Sequence, residues 1–273
     1  MTSVGRLTAS GRDTAGVPSV RHPFLDHPGP IPFAHRGGAG DWPENTMPAF
    51  EGAVQLGFRY LETDVQVTAD GLIVAFHDDD LARVTDRSGR IHELPWSEVR
   101  RARVDGREPI PLLEELLGAW PDVRVNIDAK RDETVEPLAA ALRRLGAVER
   151  VCVGAFSGSR LAKIRRLLGP SLCTSMSPAE VVRLRVGSLV PRGAALARSA
   201  AACVQVPVRQ GPLPILDHRT LALSHELGLP VHVWTIDDPV EMGRLLDLGV
   251  DGIMTDRPAV LKDVMTVRGL WPP

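Results

Sequence analysis

Between Phe33 and Asp78 the chain sets residues that exchange protons or hold cations at the ends of short apolar runs: His35, Glu62, Asp64 and His77. Glu62 and Asp64 are two apart, and in a strand the side chains at i and i+2 share a face, so both carboxylates aim into one space. Leu72 to Phe76 is a continuous apolar run that delivers His77 and Asp78 at its end, which is how a strand buried on both faces reads. Histidine titrates near neutrality, so one ring can hold a proton for a leaving group while the other takes one from an attacking oxygen. A packed core histidine is the plain alternative for either ring alone; the polar cluster beside each weakens it.

A second acidic strand end follows at Val123–Lys130, where Asp128 and Lys130 repeat the two-residue spacing. Three carboxylates at neighbouring strand ends are hard oxygen donors, the set that suits Ca²⁺ or Mg²⁺ rather than zinc. The alternative is that Glu62 and Asp64 pair with Arg59 or Lys130. We expect a cation instead, because three acids beside two histidines repel one another unless positive charge lies between them. Arg36 and Lys130 add positive charge, and Gly37 and Gly38 let backbone approach a ligand closely, which favours a phosphoryl group. Trp234, near the end of a later apolar run, is either an apolar wall for the substrate or barrel core. His22, His27, His92, His218, His225 and His232 lack such partners and are read as surface or packing residues.

The elements that must position these groups alternate. Strand patterns at Pro32–Arg36, Tyr60–Thr68, Leu72–His77, Val123–Lys130, Val151–Phe156, Ser171–Ser175, Cys203–Val208, Val231–Ile236 and Gly252–Thr255 are interleaved with helical patterns. The helical stretches are Thr46–Leu56, Pro111–Gly118, Glu133–Leu145, Ser157–Leu168, Pro178–Val186, Asp217–Leu227, Pro239–Leu248 and Pro258–Met265. Repeated strand-then-helix units imply parallel strands. With one extra antiparallel hairpin at Asp70-Gly71, eight units remain, the number that closes an α/β TIM (β/α)8 barrel. No Gly-x-Gly-x-x-Gly opens a helix after the first strand, so an open dinucleotide-binding sheet lacks support. The expected division is a loose, partly disordered arm over 1–30 and one barrel domain over 31–273. Residues 79–109, polar and without clear period apart from a short amphipathic piece at Trp96–Arg103, are expected as an insertion on the catalytic face, a wall or lid. Arg21–Pro28, rich in proline, is expected to lie extended across the body.

With 32 basic and 34 acidic side chains and a net charge of −2, no basic field argues for nucleic acid. Cys152, Cys173 and Cys203 are odd in number, widely spaced and set among apolar residues, as fits reduced core thiols and a cytoplasmic protein better than a disulfide framework or a zinc site. No run approaches a membrane span, and residues 1–20 have no apolar signal-peptide core.

In order along the chain, His35-Arg36-Gly37, Glu44-Asn45-Thr46, Glu62-Thr63-Asp64, His77-Asp78, Ile110-Pro111-Leu112-Leu113-Glu114, Trp234-Thr235 and Gly252-Ile253-Met254-Thr255-Asp256-Arg257-Pro258 resemble the motifs of the glycerophosphodiester phosphodiesterase family, across Pro32–Leu261. The resemblance implies a TIM barrel whose divalent cation, Ca²⁺ or Mg²⁺, is held by Glu62, Asp64 and Asp128, with His35 and His77 as general acid and base. Arg36, Lys130 and Trp234 are then expected to contact the substrate, and Glu44 to brace the site from behind. The implied reaction is hydrolysis of a glycerophosphodiester to glycerol 3-phosphate and an alcohol. One departure stands out: the family's usual Glu-x-Lys is here Asp128-Ala129-Lys130, and the missing methylene shortens the reach by about 1.5 Å.

The Asn-Ile-Asp-x-Lys form behind His-Arg-Gly-Gly-Ala-Gly also resembles the lysophospholipase D-type branch, so single-chain lipids are the competing substrate. A catalytically silent barrel that binds phosphodiesters is a third reading. For the lipid reading, Pro178–Val186 is expected to be an ordinary barrel helix. Leu189–Ala202 is expected to emerge on the catalytic face, basic and weakly amphipathic, to hold an acyl chain or make peripheral membrane contact.

Overall fold

The computed structural model describes residues 22–271; of the arm expected over residues 1–30, residues 1–21 lie outside them. Eight parallel strands form the centre: β1 (Ile31–Ala34), β2 (Tyr60–Val67), β3 (Arg124–Ala129), β4 (Val151–Gly154), β5 (Cys173–Thr174), β6 (Val204–Val206), β7 (Val231–Val233) and β8 (Gly252–Thr255). They hydrogen-bond in the order β5-β4-β3-β2-β1-β8-β7-β6. A parallel bridge between Ser175 and Cys203 closes the ring, supported by Ala202 N–H on Thr174 O at 2.8 Å and Met176 N–H on Cys203 O at 3.1 Å. The result is a TIM barrel, with its seam between β5 and β6.

Each strand is followed by a helix on the outside: α1 (Met47–Gln55), α2 (Leu113–Ala119), α3 (Val135–Arg144), α4 (Gly158–Leu168), α5 (Pro178–Gly187), α6 (His218–Glu226), α7 (Pro239–Leu248) and α8 (Pro258–Val267). Their starts are written locally, because a short polar side chain at the cap satisfies backbone N–H groups the helix leaves unpaired. Thr46 accepts from Ala49 N, Asp217 from Arg219 N and Thr220 N, and Asp238 from Glu241 N. At α5, Ser177 and Glu180 form a reciprocal capping box with Pro178 behind the cap.

The helix–sheet layer holds the main apolar core, including Leu61, Val65, Ile127, Val153, Leu161, Leu184 and Leu245. Inside the barrel a second cluster fills the N-terminal end: Phe24, Ile31, Phe33, Tyr60, Cys152, Cys173, Cys203 and Met254. The expected extended stretch ahead of β1 is instead a 3-10 turn at Pro23–Leu25. It buries Phe24 edge-on to Tyr60, with ring centroids 5.4 Å apart, and Tyr60 Oη donates to Phe24 O at 2.9 Å. Residues alternating inward along β2 therefore run from Tyr60 in this floor to Glu62 and Asp64 towards the mouth.

The extra strand, Ile73–Ala75, folds back antiparallel on β2 with Val65 opposite Ala75 and Val67 opposite Ile73. Beyond it, residues 79–109 contain 3-10 turns at Leu81–Arg83 and Ile91–Glu93, one helical turn at Trp96–Val99 and a two-residue hairpin, Arg103–Val104 with Glu108–Pro109. Val74, Phe76, Leu81, Ile91, Val99, Ala102, Val104 and Ile110 give this unit its own small core. Elements of two to four residues are too short to leave a period in sequence, which is why the segment read as aperiodic. Among the described residues no helix is long and apolar enough to cross a membrane.

Candidate active site

β1 ends at Ala34, and the chain then turns through left-handed backbone at Arg36 (φ 51°), Gly37 (φ 81°) and Gly38 (φ 108°). A Cβ on Gly37 would lie 2.8 Å from Ala49 Cβ and 2.9 Å from Phe50 N, so only glycine admits both this backbone and the close approach of α1. The turn aims Arg36 N–H at Glu62 Oε2, 3.1 Å away. It also places His35 with Nδ1 2.6 Å from Asp256 Oδ1 and Nε2 3.7 Å from Glu62 Oε2. Burial disfavours a charge on His35, but Glu62 and the hydrogen-bonded Asp256 outweigh it and raise its pKa above 6.5. Burial also pushes Glu62 up to about 7, against the pull of His35.

His77 reaches the same space by the hairpin. Phe76 N–H bonds Asp64 O at 2.9 Å, so the returning strand brings His77 back level with the mouth end of β2. Its Nδ1 lies 2.5 Å from Asp78 Oδ1. Asp78 is held in turn by Arg83 Nε, and Arg83 also grips Glu44 with Nη2 at 2.6 Å and Nη1 at 3.0 Å. Glu44 Oε1 accepts Arg36 Nη1 at 3.1 Å. Glu44 thus ties the His77 side of the site to the Arg36 side without facing the cavity. Burial acts against the Asp78 carboxylate, yet the hydrogen bonds from Arg83 and His77 hold it below the usual range.

Asp64 lies at 2.9 Å from Arg36 Nε and 2.7 Å from Lys130 Nζ, and Lys130 Nζ is also 2.7 Å from Asp128 Oδ2. The pairing with Lys130 weighed as an alternative is therefore present, joined by Arg36, while Arg59 turns to Phe58 O instead. These cations outweigh burial and lower the pKa of Asp64. The oxygens of Glu62, Asp64 and Asp128 do not all fall within 4.8 Å of one another. Positive charge among these acids is here supplied by the protein itself. Asp128 Oδ1 is buried with no hydrogen-bond partner. An unpaired carboxylate oxygen in a set of hard donors suits a divalent cation, so the residues fit the group.

His35, Arg36, Glu62, Asp64, His77, Asp128 and Lys130 line one cavity of about 480 Å³, together with Asn126 and Gln205, which are joined by a 2.9 Å hydrogen bond. Its opposite wall is apolar: Phe156, Met176, Val181, Val182, Ile215 and Trp234. Trp234 is edge-to-face with Phe156 at 6.0 Å, and the Trp234–Thr235 peptide is cis. α5, expected as plain barrel packing, supplies part of this wall. Leu189 and Leu196 do not line the cavity. Their stretch packs Ala197 and Ala201 into the helix–sheet layer and anchors Ser199 Oγ on Glu180 at 2.7 Å, while Leu189 and Leu196 themselves stay exposed.

A family model for glycerophosphoryl diester phosphodiesterases matches residues 35–260. The chain belongs to that family. It is thereby a phosphoric diester hydrolase, and it is similar to a probable glycerophosphodiester phosphodiesterase 2 of Mycobacterium tuberculosis, 42% identical over 94% of this chain and 97% of the relative. A lysophospholipase D of Homo sapiens is 26% identical over 85% of each chain. A phosphodiesterase of Oleispira antarctica, solved with the product sn-glycerol-3-phosphate, superimposes with a TM-score of 0.72 at 24% identity, covering 87% of this chain and 97% of that one.

In this glycerophosphodiester phosphodiesterase fold, sequence reasoning missed Asp256, Arg83, Asn126, Gln205 and, apart from Trp234, the apolar wall. Asp256 carried a usable signal, an acid directly after an apolar strand run, as Asp78 does. Arg83 carried none, because its partners Glu44 and Asp78 meet it only through the folded insertion.

Proposed function

We propose that this chain hydrolyses glycerophosphodiesters to glycerol 3-phosphate and an alcohol, with His35 and His77 moving the protons and a divalent cation, Ca²⁺ or Mg²⁺, held by Glu62, Asp64 and Asp128. The observation that carries the reading is that each imidazole is fixed through Nδ1 by its own carboxylate, Asp256 for His35 and Asp78 for His77. Nδ1–H donation to a carboxylate orients the ring and leaves Nε2 as the basic atom. In the reaction a P–O bond to the alcohol breaks as an oxygen from water or the glycerol 2-hydroxyl bonds to phosphorus; the hydroxyl route gives a cyclic phosphate, and water then opens it to glycerol 3-phosphate. One Nε2 takes the proton from the attacking oxygen and the other delivers one to the leaving alcohol. Arg36 and Lys130, both lining the cavity, offer positive charge to the phosphoryl oxygens. The cation, when bound, supplies Lewis-acid stabilisation of the charge that builds there.

The apolar wall of Phe156, Met176, Val181, Val182, Ile215 and Trp234 favours a second substrate class, lysophospholipids, whose acyl chain would lie along it. Exposed Phe156, Val182 and Leu213 are suited to touch a lipid surface. Three free thiols suit a reducing compartment such as the cytoplasm. The test is a parallel assay of glycerophosphocholine, glycerophosphoethanolamine and a lysophosphatidylcholine with Ca²⁺ or Mg²⁺. Cleavage of the short diesters alone removes the lipid reading. No turnover of any of them by folded protein with either ion would leave a barrel that only binds phosphodiesters.

A further inference from the structure

Below the polar cavity, inside the barrel, Cys152 on β4, Cys173 on β5 and Cys203 beside β6 turn their thiols to one point. All three Sγ atoms lie within 4.8 Å of one another, Cys152 and Cys203 are 3.8 Å apart, and each residue is buried. A tetrahedral zinc–thiolate centre with bonds of about 2.3 Å has sulfur–sulfur edges of about 3.8 Å, which is the spacing of the Cys152–Cys203 pair. Sequence separation hid the cluster: the cysteines are 21 and 30 residues apart, and they meet because adjacent strands set Cys152 opposite Cys173 and Ser175 opposite Cys203.

His232 on β7 is the second observation. It is wholly buried, and its Nε2 has no hydrogen-bond partner. A buried ring nitrogen left unpaired is costly unless something binds it. Its Nδ1 is 3.3 Å from the Gln205 amide, which meets Asn126 at 2.9 Å. Turning both amides over preserves both contacts, with Asn126 donating to Gln205 and His232 Nδ1–H donating to the Gln205 carbonyl. That tautomer frees the Nε2 lone pair for a metal and supplies the supporting hydrogen bond that metal-bound histidines have.

We propose that Cys152, Cys173 and Cys203 form a buried structural site for a thiolate-preferring d¹⁰ cation, Zn²⁺ being the probe of choice; His232, whose ring nitrogens do not lie within 4.8 Å of all three sulfurs, would complete the set by turning towards them on binding. Three sulfurs and an imidazole select such an ion, whereas the oxygen donors of the cavity above select Ca²⁺ or Mg²⁺. Binding forms the metal–sulfur bonds and releases the thiol protons to solvent. Its effect is mechanical: the ion ties β4 and β5 to β6 across the seam, where β5 has only two strand residues. Strands so joined are loaded as the chain folds, because the closed barrel buries the site.

The test refolds the full chain, reduced, with Co²⁺ or Zn²⁺ and then removes free metal. One bound equivalent with thiolate-to-cobalt charge-transfer absorption in the near ultraviolet, displaced by Zn²⁺, is expected, along with a melting temperature above that of metal-free protein. Cys203→Ala and Cys173→Ala should abolish the charge-transfer band. His232→Gln should keep the band and weaken Co²⁺ binding at least tenfold. Asp128→Ala, in the oxygen-donor set above, should leave the band unchanged. Folded wild type, confirmed by circular dichroism and by three thiols titrating in denaturant, that shows no such band overturns the site. A Cys152–Cys203 disulfide in protein prepared without reductant, seen as a mass loss of two hydrogens, also overturns it in favour of a redox pair.

Discussion

His35 Nδ1 stands 2.6 Å from Asp256 Oδ1, although the two are 221 residues apart in sequence. The contact exists because β1 and β8 are neighbours in the ring, with Ala34 opposite Thr255. The orientation of the His35 ring, just beyond the first strand, is therefore set by a residue just beyond the last.

That coupling gives the first expectation. His35→Ala and His77→Ala should each lower turnover by about 10²–10⁴-fold, the span of a positioned acid or base. Asp256→Asn should cost less, about 10–100-fold, as supporting partners do. Steady-state kinetics on a glycerophosphodiester, with circular dichroism to confirm the fold, measure all three. Near-normal turnover in a folded His35→Ala or His77→Ala protein would remove that histidine from the reaction.

The acids give the second. Chelation should abolish activity reversibly. Asp128→Ala should weaken Ca²⁺ and Mg²⁺ affinity in calorimetric titration, because it deletes the one buried carboxylate oxygen without a hydrogen-bond partner among the described residues. Asp128→Glu should retain activity. Unchanged affinity in the alanine variant would exclude Asp128 as a ligand.

Substrate choice gives the third. Val181→Ser with Val182→Ser should reduce lysophosphatidylcholine hydrolysis well below that of glycerophosphocholine, since both valines line the cavity. Leu189→Ser with Leu196→Ser, outside the cavity lining, should leave the ratio of the two rates unchanged. A shift in that ratio from the leucine pair alone would contradict the assignment of the wall.

Stability against acid gives the fourth. Burial of Glu180 opposes its charge, but Ser177 N–H, Ser199 and Arg165 hold its pKa at about 2, below the ordinary 4.5. Between these values the unfolded chain binds the proton and the folded chain does not. Its contribution, up to about 3 kcal/mol from a shift of this size, is therefore full above pH 4.5 and lost as pH falls towards 2. Thermal melts of wild type and Glu180→Gln should differ at pH 7 and converge at acid pH. A difference that does not change with pH would show that the carboxylate charge is not what stabilises the α5 start.

The strand–helix alternation, the helix caps and the polar strand ends were legible in the residues themselves. They rest on local chemistry: side-chain period, short polar caps and apolar runs that stop at His35, His77 or Asp128. The family motifs added order along the chain, and the eight-unit count followed from the same alternation. What only the tertiary structure decided is where distant residues meet. Arg83 reaches Glu44 and Asp78 from an insertion with no readable period. Val181 and Val182, rather than Leu189 and Leu196, form the wall, because the start of α5 sits at the cavity while the later stretch packs Ala197 and Ala201 into the helix–sheet layer and leaves both leucines exposed outside the cavity. Lys130 stands between Asp64 and Asp128, a choice of partner that depends on the register of β2 and β3 and on the low dielectric between them. Three cysteines that looked unrelated share one point inside the ring, because barrel closure brings strand neighbours together irrespective of their separation along the chain.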